Sequence, residues 1–184
     1  CWAAAAVTGG TVTVCNLGAG TRQGDARFAR VLEEMGCEVT WTPDTVTVAG
    51  PRRLRGGDFD LNDMPDQAQT LAVVGLFADE PVHVANVGNL RVKETDRLAA
   101  LARELSRLGA RVEEGDDSIT VWPLTHEPEG PVELETYGDH RMAMSLAVAG
   151  ARLPRVVIKD PACVNKTYPR FFEDFLGLLG ARLS

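Results

Sequence analysis

The stretch 82–121, VHVANVGNLRVKETDRLAALARELSRLGARVEEGDDSITV, decides the fold. Val82-His83-Val84 alternates as a half-buried strand does, and Leu98, Leu101, Leu105 and Leu108 then recur at the three-and-four spacing of an amphipathic helix. Gly109 is placed to stop that helix in the left-handed conformation. Alternation returns at Arg111-Val112-Glu113, turns at Gly115-Asp116-Asp117 and continues as Ser118-Ile119-Thr120-Val121, which predicts a hairpin.

The same order is written twice more. Val12-Thr13-Val14 leads through Asn16 to Phe28, Val31, Leu32 and Met35 before Gly36, and Val39-Thr40-Trp41 turns at Pro43-Asp44 into Thr45-Val46-Thr47-Val48. A third pass runs from Val156-Val157-Ile158 to Leu179-Gly180. The period of about 70 residues is a supersecondary unit rather than a short solenoid repeat. Between the hairpins, 1–7, 68–78 and 142–151 are apolar nearly all round, which argues for helices buried on every side. The fold class read from this is α+β (mixed α/β): a pseudo-threefold repeat of βαβαββ units. Its three buried helices lie inside, with sheets and amphipathic helices outside, each amphipathic helix lying outside the sheets with its charged face in solvent. The first unit is truncated, because Cys1-Trp2-Ala3 opens directly in a buried type of helix.

A chain of 184 residues with 45% hydrophobic content can bury one substantial core. Its net charge of −7 argues against a nucleic-acid partner, which would require a basic face. Cys1, Cys15, Cys37 and Cys163 form no Cys-x-x-Cys pair, and His83, His126 and His140 form no pair at helical spacing, so neither a metal site nor a redox motif is signalled. No stretch reads as a membrane span or a leader, and free thiols suit a reducing cytoplasm. Gly18-Ala19-Gly20 lacks the ending of a nucleotide-binding loop and reads as a turn.

Chemistry gathers in two stretches, 89–98 (NLRVKETDRL) and 137–144 (YGDHRMAM). If the first opens a helix, Lys93 and Arg97 share one face near an end whose free amides attract anions. Taken alone, such a start is usually a solvated face. Here Glu94 stands within reach of the same place and His140 neighbours Arg141, so proton-transfer groups adjoin anion-binding ones.

Together the two stretches resemble the 5-enolpyruvylshikimate-3-phosphate synthase family, also called 3-phosphoshikimate 1-carboxyvinyltransferase. Gln23-Gly24-Asp25, Pro65-Asp66, Asp160-Pro161 and Lys166-Thr167-Tyr168-Pro169 follow in family order. The resemblance implies transfer of the enolpyruvyl group of phosphoenolpyruvate to the 5-hydroxyl of shikimate 3-phosphate, with no metal and no cofactor. It implies Asp66 as the carboxylate at the target hydroxyl, Asn89 and Lys93 at shikimate 3-phosphate, and Glu94 as acid or base for the enol methylene. Lys93 is a further candidate for proton transfer. Arg97 and Arg141 would clamp phosphoenolpyruvate, Lys166 would touch phosphate, and His140 would adjoin the reacting group. Read without the resemblance, Asp66 is a helix N-cap and His140 a structural histidine.

Only the family's C-terminal domain is matched, across 1–184, so the N-terminal domain that completes the interdomain cleft is expected as a partner. The alternatives are an isolated, non-catalytic domain that binds anions weakly and the related UDP-N-acetylglucosamine enolpyruvyl transferase. The latter lacks the combination of motifs seen here. An unpaired sheet edge left by the short first unit is expected to favour a homodimer.

Overall fold

The structure, a computed structural model, describes residues 1–180. Its middle third carries the whole repeat. Strand β4 (Gly57–Asp60), helix α3 (Ala68–Gly75), strand β5 (Val82–Ala85), helix α4 (Arg97–Arg107) and the hairpin β6 (Val112–Glu114) and β7 (Ile119–Val121) follow in the predicted order. The sheet order is β4-β5-β7-β6, with β4 parallel to β5 and the other pairs antiparallel. Alternation places Val82, Val84, Ile119 and Val121 inward without exposed surface. His83 and Thr120 point outward and bond to each other at 2.8 Å.

The first third repeats this without a leading strand. Helix α1 (Trp2–Thr8) precedes strand β1 (Thr11–Cys15), helix α2 (Phe28–Glu34) and the hairpin β2 (Glu38–Trp41) and β3 (Thr45–Ala49). These strands run in the order β1-β3-β2, which matches β5-β7-β6. In the last third, β8 (Val132–Leu134) pairs in parallel with β9 (Val156–Ile158) around helix α5 (His140–Gly150), and helix α6 (Phe171–Leu178) closes the described chain. That sheet has two strands among the described residues, so the hairpin found in the other thirds is not part of it. The strand ends keep a trace of the repeat: Asn16, Asn86 and Asp160 all hold positive φ, at 59°, 59° and 45°. Asn and Asp tolerate this better than most residues, since a short polar side chain can bond locally.

The buried helices α1, α3 and α5 touch one another, as their all-round apolarity requires. Alanine-rich surfaces let them approach closely. The amphipathic α4 differs from the simplest expectation: it packs on α3, β6 and β8, filling the seam between two sheets instead of covering the outer face of one. Its leucines 98, 101 and 105 are fully buried, and Gly109 (φ 92°) stops it as read. Gly18 is a close-approach position, because a Cβ there would lie 1.9 Å from the carbonyl oxygen of Pro43. The glycine loop therefore packs on the β2–β3 turn, with Ala19 N–H donating to Thr42 O at 2.9 Å.

No helix among the described residues is long and apolar enough to cross a membrane.

Candidate active site

Helices α3, α4 and α5 all begin at one end of the molecule, and several of the candidate site residues lie at or just before their first turns. Asp66 lies in the 3-10 turn Pro65–Gln67 that leads into α3, Arg97 opens α4, and His140 and Arg141 open α5. An open groove of about 430 Å³ runs past Asp66, Thr70, Arg141 and Ser145 towards Trp2, Phe171 and Phe175. Two of these helices, of eleven residues each, start with an Asp whose carboxylate accepts from first-turn amides: Asp96 for α4 and Asp139 for α5.

Arg97 is the centre of the cluster, and it is only 1% exposed. Its Nε donates to Asp139 Oδ2 at 2.7 Å, Nη2 donates to Glu94 Oε2 at 2.8 Å, and Nη1 donates to Asp66 Oδ1 at 3.2 Å. With its amide oxygen turned towards Arg97, Gln69 accepts from Nε at 3.0 Å and donates to Asp66 O at 3.2 Å. Arg141 Nη2 pairs with the other oxygen of Asp66 at 2.9 Å, and Lys166 Nζ with Glu94 Oε1 at 3.3 Å. Three cations, Arg97, Arg141 and Lys166, thus alternate with three carboxylates, Asp66, Glu94 and Asp139. The cluster is neutral, its acids paired with its cations one for one.

Asp139 was not among the residues expected to matter. It has no exposed surface, grips Arg97 through both oxygens, and caps α5 by accepting from the Arg141 N–H at 2.8 Å. An Asp directly before an apolar helical run is the signal that could have found it. Asp66, by contrast, is not the N-cap that its position suggests. Met64 precedes the turn, no side chain caps it, and the Asp66 carboxylate is committed to the two arginines.

Lys93 and Arg97 do not share a helix face. Asp96 caps α4, its Oδ1 accepting from Ala99 N–H at 3.1 Å, so the helix starts only at Arg97 and Lys93 precedes it in extended backbone. Asp is the stronger cap, and this settles the boundary. Lys93 and Asn89 are exposed on the preceding loop and make no hydrogen bond or ion pair with the cluster among the described residues. Both border the site rather than line its floor.

His140 is 7% exposed, and its Nδ1 is buried without a partner among the described residues. Burial, the largest influence, pushes its imidazole below the ordinary value of 6.5. Glu94 is held below the usual carboxylate range, chiefly by its own backbone N–H and then by Lys166. Both folded-state shifts are downward, so the unfolded chain binds more protons than the folded chain as the solution is acidified. Stability is therefore expected to be complete above about pH 6.5 and to fall as His140 protonates in the unfolded state below it, with the Glu94 contribution lost at lower pH. Urea midpoints between pH 8 and 5 measure this, and a rising midpoint on acidification would contradict it.

The family model for EPSP synthase (3-phosphoshikimate 1-carboxyvinyltransferase) matches residues 1–175. The 3-phosphoshikimate 1-carboxyvinyltransferase 2 of Nicotiana tabacum is 51% identical over 178 residues, covering 93% of this chain and 52% of the relative. The 3-phosphoshikimate 1-carboxyvinyltransferase of Nostoc punctiforme is 48% identical over 178 residues, covering 97% of this chain and 41% of the relative. Among solved structures, EPSP synthase from Acinetobacter baumannii superposes with a TM-score of 0.77 at 25% identity, over 94% of this chain and 42% of that one. The enolpyruvyl transferase NikO from Streptomyces tendae shares the fold, with a TM-score of 0.72 at 23% identity over 98% of this chain and 42% of that one. The chain spans about half or less of the length of these relatives. With the matching family model covering nearly the whole sequence and the motifs gathered at one end of the fold, the chain belongs to the EPSP synthase (3-phosphoshikimate 1-carboxyvinyltransferase) family.

Proposed function

We propose that this chain is the C-terminal half of an interdomain site that transfers the enolpyruvyl group of phosphoenolpyruvate to the 5-hydroxyl of shikimate 3-phosphate. The observation that carries the reading is the interleaved cluster of Arg97, Arg141 and Lys166 with Asp66 and Glu94, of which Asp66 and Arg141 line a groove at a convergence of helix starts. A phosphate or carboxylate entering there exchanges places with a carboxylate already bound to Arg141 or Lys166. The displaced group is then free, close to the substrate and unprotonated.

In this mechanism Asp66, released from Arg141, takes the proton of the 5-hydroxyl as its oxygen bonds to C2 of the enol. Lys93 at the rim delivers a proton to C3, directly or through Glu94, which as a carboxylate first takes that proton up. The tetrahedral intermediate then returns a C3 proton to the group that supplied one, now in its basic form, as its C2–O bond to phosphate breaks, which restores the double bond and releases inorganic phosphate. Arg141 holds the donor, its planar guanidinium suited to two parallel bonds, and Arg97 joins it where Asp66 or Glu94 gives way. Lys166 meets its phosphate, Asn89 and Lys93 reach shikimate 3-phosphate, and His140 adjoins the reacting group. Neither metal nor cofactor is required for these proton transfers.

The complementary N-terminal half supplies the opposite wall, and transition-state stabilisation depends on groups held on both sides. The chain by itself is therefore expected to release no phosphate from the two substrates above background. The same chain joined to or mixed with a matching N-terminal half should do so. Turnover by the isolated chain, or none by the completed protein, would overturn the reading. Working alone, the chain is also expected to self-associate through the open edges of β1 and β9, in a cytoplasm that keeps its thiols reduced. A concentration-independent monomer mass in light scattering would count against that.

A further inference from the structure

Glu104 has no exposed surface, yet it lies on the otherwise amphipathic α4 and touches none of the cluster residues. Its charge is met elsewhere. Oε1 accepts from the Tyr137 hydroxyl at 2.6 Å, and Oε2 accepts from the Glu135 backbone N–H at 3.0 Å, with Arg107 Nη1 at 3.6 Å. Glu104 follows Arg97 by seven residues, two helical turns, so both project from the same face of α4. Arg97 holds Asp139 while Glu104 holds Glu135 and Tyr137. One helix face thus grips both ends of the segment 135–139.

What lies between the two grips is an unusual turn. Tyr137 and Gly138 are consecutively left-handed, at φ 56° and 66°, and Asp139 N–H closes the turn on Thr136 O at 2.9 Å. An aromatic residue rarely adopts that backbone region and persists there only when its surroundings fix it. Here the surroundings are Glu104 and Arg103. Arg103 Nη1 donates to the Tyr137 hydroxyl oxygen at 3.3 Å, and its guanidinium lies 5.9 Å from the ring centroid. Burial and the bond to Glu104 raise the Tyr137 pKa, so the hydroxyl stays protonated as a donor. The turn delivers Asp139 to the start of α5, and Asp139 in turn sets where His140 and Arg141 begin.

We infer that Glu104 and Tyr137 are positioning residues that fix the direction in which α5 presents Arg141 and His140 to the phosphoenolpyruvate half of the site. Neither residue touches a reactant. The inference rests on the proposed transferase reading, because Arg141 binds the donor only there.

The test uses the full-length enzyme, with Tyr137→Phe as the main variant. Phenylalanine keeps the ring and its packing and removes only the hydroxyl that Glu104 and Arg103 share. Misplacing a substrate-binding group by a fraction of an ångström is expected to lower kcat/KM for phosphoenolpyruvate about tenfold. The KM for shikimate 3-phosphate should stay within about twofold, and the thermal midpoint within a few degrees, because no packing is lost. Glu104→Gln, which keeps an acceptor but not the charge, should shift the same constants in the same direction. Should that variant fail to fold, Tyr137→Phe still decides. An unchanged kcat/KM for phosphoenolpyruvate in Tyr137→Phe, or equal losses for both substrates that track a fall in thermal midpoint, would overturn the positioning role. An inactive wild-type enzyme would instead overturn the transferase reading itself.

Discussion

Asp139→Ala is expected to lower the stability of the chain by about 4–6 kcal/mol. Asp139 and Arg97 are a buried ion pair, at 0% and 1% exposure, and removing one partner leaves an uncompensated charge in the interior. Breaking such a pair costs about 3–5 kcal/mol, and the lost cap at the start of α5 adds about 1 kcal/mol. Against a total stability of about 5–15 kcal/mol, this removes about a quarter of the stability of a robust domain and all of that of a marginal one. Arg97→Ala should do comparable damage, with Asp66 and Glu94 also losing a donor. Combining Arg97→Met with Asp139→Asn should recover much of the loss, since the charge pair disappears as a unit and Asn still caps. Urea unfolding measures all three, and an Asp139→Ala midpoint close to wild type would show that the pair carries no stability.

The second large effect is a separation of binding from chemistry at Asp66. In the unliganded site this carboxylate already occupies Arg141 and one edge of Arg97, so it competes with an incoming anion. Asp66→Asn removes the competitor's charge and keeps an acceptor. Inorganic phosphate should then bind the chain a few-fold more tightly, about the effect of freeing a partly exposed pair worth up to 1 kcal/mol. Transfer by the completed enzyme should fall by about 10²–10⁴, the usual contribution of a general base. Calorimetry reads the first quantity and phosphate release the second. If both fall together, Asp66 organises Arg141 instead of competing for it; if transfer is unchanged, another group takes the hydroxyl proton.

Much of this was legible before any coordinates. The spacing of Leu98, Leu101, Leu105 and Leu108 with its glycine stop fixes α4, and alternation around Pro43-Asp44 and Gly115-Asp116-Asp117 gives both hairpins, because these signals are local. The start of α4 was less clear. Lys93, Glu94 and Asp96 can all stand in a first turn, and only the bond from Asp96 to Ala99 decides among them. The charge balance of the site was not legible. Its decisive pairs join Arg97 to Asp139 across 42 positions and to Asp66 across 31, and sequence shows which residues carry charge but not which will meet. Likewise, nothing in the sequence around Glu104 sets it apart from a solvated glutamate on a helix until Tyr137 is folded against it.

The internal neutrality of the cluster also governs how an anion arrives. A site whose cations are already matched one for one projects little field beyond its own rim, and the chain as a whole carries a net charge of −7. A phosphorylated ligand therefore gains no electrostatic guidance at a distance, and this face alone should capture it no faster than the unsteered rate of about 10⁵–10⁶ M⁻¹s⁻¹. Selection happens after contact, when the ligand must supply a better-placed anion than Asp66 or Glu94 to take an arginine or lysine from it. The carboxylates thereby act as a threshold that a singly charged, poorly fitting anion does not cross.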